Sequence, residues 1–94
     1  MQYMIIEKFR DGKVKEVYKR FDEKGRLMPE GLHFISSWIS EDVTTCYQVM
    51  ETEDLNKLRE WIDNWKDLVE FEIIPVISSQ QAKQKIFSQK TSSL

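Results

Sequence analysis

The chain carries one histidine and one cysteine, and both lie in the stretch GLHFISSWISEDVTTCYQVME, residues 31–51. An imidazole and a thiol within hydrogen-bond reach make a base and its nucleophile. Both segments read as strands of one hairpin. Centring its turn between Glu41 and Asp42 sets Ser37 opposite Cys46, Trp38 opposite Thr45, Phe34 opposite Val49 and His33 opposite Met50. His33 and Cys46 then stand four residues apart along adjacent strands, about 13 Å at this rise per residue. That separation excludes a dyad within one subunit, and Cys46 reads as a buried, inert thiol. As a metal ligand, His33 lacks a second histidine and needs Glu7, Glu70 or Glu72 to complete a site. It reads instead as a histidine satisfied by hydrogen bonds, and neither a metal nor a cofactor is expected.

The carboxylates offer more chemistry. Glu7 lies on the first strand and Glu70 and Glu72 on the last, and these two strands are neighbours in the topology derived below. Two carboxylates sharing a half-buried site push one pKa up, which suits general acid/base work. The plainer alternative places them at the sheet rim in water, or paired with Lys8 or Arg10 of a second copy. Trp61 and Trp65, spaced i, i+4, read as helix packing, and Trp38 as core or the wall of a pocket between sheet and helices.

The elements that position these groups follow from periodicity. QYMIIEKF (2–9) is a strand stopped by the turn pair Asp11-Gly12. Val14, Val17, Tyr18 and Phe21 fall at i, i+3, i+4, i+7, one face of a helix that Gly25 ends. LHFISSWIS and TTCYQVME form the hairpin. Thr52 serves as N-cap of a second helix carrying Leu55, Leu58, Ile62 and Trp65, with Glu53 and Asp54 in its first turn. VEFEIIPVI (69–77) is a last strand, which Pro75 marks as an edge strand or as one that stops pairing there. The order is β-α-β-β-α-β: an α+β, ferredoxin-like domain over residues 1–77, with a four-stranded antiparallel sheet and two helices on one face. Residues 78–94 read as a polar tail or weak helix.

On the hairpin register above, Phe34, Ser36, Trp38, Tyr47 and Val49 turn to the helices, together with Val69, Phe71 and Ile73. The uncovered face then holds His33, Ile35, Ser37, Ile39, Cys46, Gln48 and Met50, with Ile5, Glu70, Glu72, Ile74 and Val76. Glu7, His33, Ser37, Gln48, Glu70 and Glu72 are accordingly the candidate ligand-lining residues. The apolar members predict a homodimer through this face, since monomers rarely expose a patch of more than a few hundred Å².

Composition sets outer limits. With 40% hydrophobic and 32% charged residues the chain is an ordinary globular one. The early apolar run Tyr3–Ile6 is too short for a signal peptide or membrane anchor, and a lone cysteine fits a reducing compartment, so a cytoplasmic protein is expected. Charge runs in blocks of +3, −8 and +3 over residues 1–26, 27–77 and 78–94. The basic residues from Lys13 to Arg26 interleave with acids on the first helix and read as a solvated face. Strand three lacks the aromatic and basic pattern of RNA-binding sheets, and Glu70 and Glu72 would repel phosphates, so no nucleic-acid partner is expected.

The words QYMIIEKF, PEGLHFISSWIS, CYQVMETED and LREWIDNWKDLVEFEIIPVISS resemble, in that order, a family of small bacterial domains of unknown function, similar to the dimeric α+β barrel superfamily. The resemblance implies a dimer with two facing sheets and assigns no catalytic residue. Relatives by fold include cofactor-independent monooxygenases, haem-degrading enzymes and stress-response proteins, and fold alone does not choose among them. Two functions stand at this point. One is a homodimer that binds a small hydrophobic molecule or serves as a regulatory or structural module. The other is a cofactor-independent enzyme, monooxygenase- or isomerase-like, acting on a hydrophobic substrate beside the sheet.

Overall fold

A computed structural model describes residues 1–92. The chain runs β1 (Gln2–Phe9), α1 (Val14–Lys24), β2 (His33–Ile39), β3 (Thr45–Glu51), α2 (Leu55–Asp63), β4 (Val69–Val76) and α3 (Ser79–Ser92). The strands form one antiparallel sheet in the order β2-β3-β1-β4, the α+β arrangement that the periodicity predicts. β4 is an edge strand, where Pro75 leaves no central ladder unpaired.

Local chemistry ends each helix where it does. Gly25, at φ 68, donates its N–H to the carbonyl of Phe21 at 2.8 Å and closes α1. The N-cap of α2 is Asp54, not Thr52: the Asp54 carboxylate accepts from the N–H of Asn56 at 2.9 Å. Thr52 is buried two residues earlier, where its hydroxyl donates to the carbonyl of Gly31 and accepts from the N–H of Asp54. α2 ends at Asp63, so Trp65 belongs to the turn that follows rather than to the helix. α3 opens with a reciprocal capping box: the Ser78 hydroxyl accepts from the N–H of Gln81, and the Gln81 side chain accepts from the N–H of Ser78. No helix among the described residues is long and apolar enough to cross a membrane.

The hairpin corrects the expected register. Its loop spans four residues rather than two, because Ser40 pairs with Thr45 and Val43 turns the chain in the left-handed region at φ 58. The Asp42 carboxylate holds this loop by accepting from the Ser40 hydroxyl and from the N–H and hydroxyl of Thr44. Ile39 consequently faces Cys46, Ser37 faces Gln48 and Trp38 faces Tyr47. A bulge at Ile35 then shifts the ladder by one, so that Phe34 faces Met50 and His33 faces Glu51.

The longer turn shifts the ladder by two residues, so Ser36, Trp38, Tyr47 and Val49 still share one face and Ser37, Ile39, Cys46, Gln48 and Met50 the other. It is the second group that turns to the helices, with Phe34 joining it through the bulge. Toward the helices lie the rows Ile39, Cys46, Glu7, Phe71; Ser37, Gln48, Ile5, Ile73; and Phe34, Met50, Tyr3, Pro75. Ile5 and Met50, expected on the open face, are fully buried in a core with Leu32, Leu58, Trp61 and Trp65. The uncovered face instead carries Trp38, Tyr47, Ile6 and Glu72 in one row and Ser36, Val49, Met4 and Ile74 in the next. Trp38, expected in the core, is 72% exposed. Val69, Phe71 and Ile73 face the helices as the alternation of β4 predicts.

A β-branched residue in the left-handed region costs roughly 1–2 kcal/mol in backbone sterics. Val43 is exposed, so little burial is lost on shortening it. The variant Val43→Gly is expected to stabilise the chain by about 1 kcal/mol, read as a raised urea midpoint at unchanged slope.

Candidate functional site

α1 has an apolar stripe but buries none of its residues. Val17, Tyr18 and Phe21 stand over the sheet and leave a cleft of about 240 Å³ beneath them. Trp61 and Trp65, both core residues, form a second wall, and Phe9 and Ile39 contribute from the strands. The polar groups of the cleft are gathered on its sheet side: Glu7, Ser37, Cys46 and Gln48, with Arg26 reaching over them from the connection after α1.

Glu7 is only 6% exposed. Its carboxylate accepts a short hydrogen bond from the Gln48 side-chain amide. Arg26 reaches the same amide from the other side, its Nε donating to Gln48 Oε1 at 3.4 Å and its Nη2 to the Ser37 hydroxyl at 3.5 Å. The guanidinium lies 3.8 Å over the Phe34 ring and 5.1 Å from that of Phe21. Gln48 thus links a carboxyl and a guanidinium that stand on different elements.

Burial dominates the electrostatics of Glu7. Loss of solvent raises its pKa from 4.5 to about 7, although hydrogen bonds from Gln48 and Cys46 and the charge of Arg26 all pull it down. Desolvation also lifts the Cys46 thiol to about 12, and the adjacent Glu7 adds to that. A thiol so raised stays protonated and is a poor nucleophile.

The six sequence candidates therefore separate. Glu7, Ser37 and Gln48 come together in the cleft, on the helix side of the sheet rather than on its open face. His33 is exposed on the opposite face beside Glu51, six residues along β2 from the position facing Cys46, about 20 Å away. Glu70 and Glu72 also lie on the open side, opposite Lys8 and Ile6, so neither shares a site with Glu7, whose neighbour on β4 is Phe71. Glu70 binds Arg10 of its own chain at 3.3 Å. No group of three or more potential metal-binding side chains occurs among the described residues. Arg26, read from sequence as one more charge on a solvated helix, is a site residue; its position beyond Gly25 was the available signal that it had left the helix face.

The family model for a domain of unknown function, DUF3303, matches residues 1–89, and the chain belongs to that family. The X-ray structure of protein Atu4242 from Agrobacterium tumefaciens is similar with a TM-score of 0.50 at 14% identity, covering 84% of this chain and 96% of that one. At that identity the likeness speaks for the fold alone. No curated protein matches the chain.

The raised pKa of Glu7 has a defined sign in stability. Below pH 4.5 the carboxyl is protonated whether the chain is folded or not. Between 4.5 and about 7 only the folded chain holds the proton, so stability falls as pH rises through this window and is level above it. The contribution lost is on the order of 3 kcal/mol. Glu7→Gln is expected to flatten this slope and to be more stable than the wild type at pH 8, in urea unfolding at pH 5 and pH 8.

Proposed function

We propose that this member of the DUF3303 family is a cytoplasmic homodimer that binds a small, mostly apolar molecule carrying one or two polar groups. The observation that supports ligand binding is the cleft under α1, with aromatic walls and its polar groups collected on one side, the usual make-up of a small-molecule site. Glu7, Gln48 and Arg26 would fix the polar end, and Phe9, Tyr18 and Trp65 would pack on the apolar body. The dimer reading is supported by the uncovered sheet face. Met4, Ile6, Trp38, Tyr47, Val49 and Ile74 lie together there, bounded at one end by Lys8, Thr45 and Glu70 and at the other by Gln2, His33 and Glu51. An apolar centre with a polar rim is how a protein interface is built. The single unpaired thiol, Cys46, agrees with a reducing compartment.

A second reading, a cofactor-independent enzyme working in the same cleft, is favoured by one observation: the buried carboxyl of Glu7 lies against the space a ligand would fill.

Both parts of the principal reading are measurable. The wild type is expected to sediment as a dimer at micromolar concentration, and Trp38→Glu as a folded monomer, because Trp38 contributes little to the core of its own subunit. A wild type that sediments as a monomer rejects the dimer. 2-Naphthol is expected to quench the fluorescence of Trp61 and Trp65 saturably, and Val17→Phe, which fills the cleft, to abolish the effect. Quenching that survives in Val17→Phe places the ligand elsewhere.

A further inference from the structure

Glu7 is the one carboxylate that lines the cleft, and two side chains of the neighbouring strand stand against it. The Gln48 amide donates to it from the neighbouring strand, and Cys46 is its register partner on β3. The Arg26 guanidinium lies over the ring of Phe34 and near that of Phe21, and it donates to Gln48 and Ser37, one strand and more from Glu7. A carboxylate and a cation thus border one apolar space without closing on each other as an ion pair. A base beside a separate, fixed positive charge is the arrangement needed to remove a proton from carbon and to hold the oxyanion that results.

We infer that Glu7 is a catalytic residue that transfers a proton on small apolar carbonyl compounds bound in the cleft, with Arg26 stabilising the enolate; this rests on the cleft being the ligand site. The Glu7 carboxylate takes a proton from the carbon next to the carbonyl. The C–H electron pair becomes the carbon–carbon double bond, and the carbonyl π pair moves onto oxygen, where the Arg26 guanidinium donates to it. Glu7 then returns the proton to the same carbon or, in a conjugated substrate, to the carbon two positions on. The carboxylate is regenerated and no electrons are gained or lost overall. The chemistry is enolisation and double-bond isomerisation, and the substrate class is an apolar ketone or related carbonyl with an acidic α-hydrogen.

The surroundings support a base that works near neutrality, since burial brings Glu7 to about 7. The titratable or charged groups that share its cleft are Cys46 from β3, Tyr18 from α1 and Arg26 from the connection after α1; α2 contributes the ring of Trp61, the turn after it that of Trp65, and β4 sets Phe71 beside Glu7.

The test uses 2-tetralone, whose C1 hydrogens are acidic, and follows their exchange with D₂O by proton NMR while tryptophan quenching reports binding. Saturated wild type is expected to accelerate exchange by at least about 100-fold over buffer. The rate should rise with pH to a plateau, with its inflection near 7. Glu7→Gln is expected to bind the ketone and to lose the acceleration, and Glu7→Asp to keep a reduced part of it with the inflection moved. Arg26→Met should lower the exchange rate of the bound ketone. Ketone that quenches the wild type but exchanges no faster than in buffer overturns proton transfer and leaves the binding reading intact. Ketone that does not quench overturns both. Full exchange activity in Glu7→Gln overturns the role of Glu7. Should that variant fail to fold, the wild type decides: a rate flat from pH 5 to 9 rejects the proposal.

Discussion

The backbone carbonyl of Arg26 accepts two hydrogen bonds, one from the indole of Trp61 at 3.0 Å and one from the indole of Trp65 at 2.9 Å. A carbonyl has two lone pairs, and both are used here by the largest side chains of the core. The next carbonyl, of Leu27, accepts from the side chain of Asn64 at 3.0 Å. Leaving a buried indole N–H without a partner costs about 1–3 kcal/mol, so the two tryptophans can be buried only with the α1–β2 connection in place. Leu27 takes a left-handed backbone, φ 59, within this connection. With the Arg26 carbonyl turned to α2, its side chain leaves toward the cleft, and one residue serves the core and the site through different groups.

α1 is held by polar contacts more than by packing. Arg20 forms a two-pronged pair with Asp67 at 2.8 and 2.7 Å, donates to the Asn64 carbonyl at 2.8 Å and lies over Trp65. The pairing holds the Asp67 carboxyl down at about 2. A helix fixed at one end by a guanidinium does not have to sink its apolar stripe into the sheet, and the space beneath it stays open. The same space removes water from Glu7 without giving it a close counter-ion, which is why its acidity falls. Helix position, cleft and perturbed carboxyl are therefore consequences of one arrangement.

The sheet divides the remaining chemistry by parity along its strands. Odd residues of β1 and even residues of β3 face the helices, and their polar members, Glu7 and Gln48, meet because the strands are directly paired. The complementary residues make the opposite face apolar in its middle and polar at its ends. The bulge at Ile35 lets β2 change parity partway, bringing Phe34 to the helix side, where it supports Arg26.

Element order, the amphipathic stripe of α1, its end at Gly25 and the facing of β4 were legible in the sequence, because each depends on residues a few positions apart. The separation of His33 from Cys46 was legible too, since the two-residue turn and the four-residue turn both keep them well apart along the ladder. The facing of β2 and β3 was not. The turn length was hidden as well, since the left-handed Val43 has no signature in composition, but two residues against four moves the ladder by two and leaves the faces unchanged. Alternation already put Glu7, Ser37 and Gln48 on one face and Trp38 on the other; which face the helices cover was decided by long-range packing, in which Ile5 and Met50 meet Leu58, Trp61 and Trp65. Arg26 and the acidity of Glu7 depend on contacts between residues far apart in the chain, on a carbonyl satisfied by two distant indoles and on the water a distant helix excludes. Periodicity records which residues share an element; only the packed chain sets which elements leave a space between them.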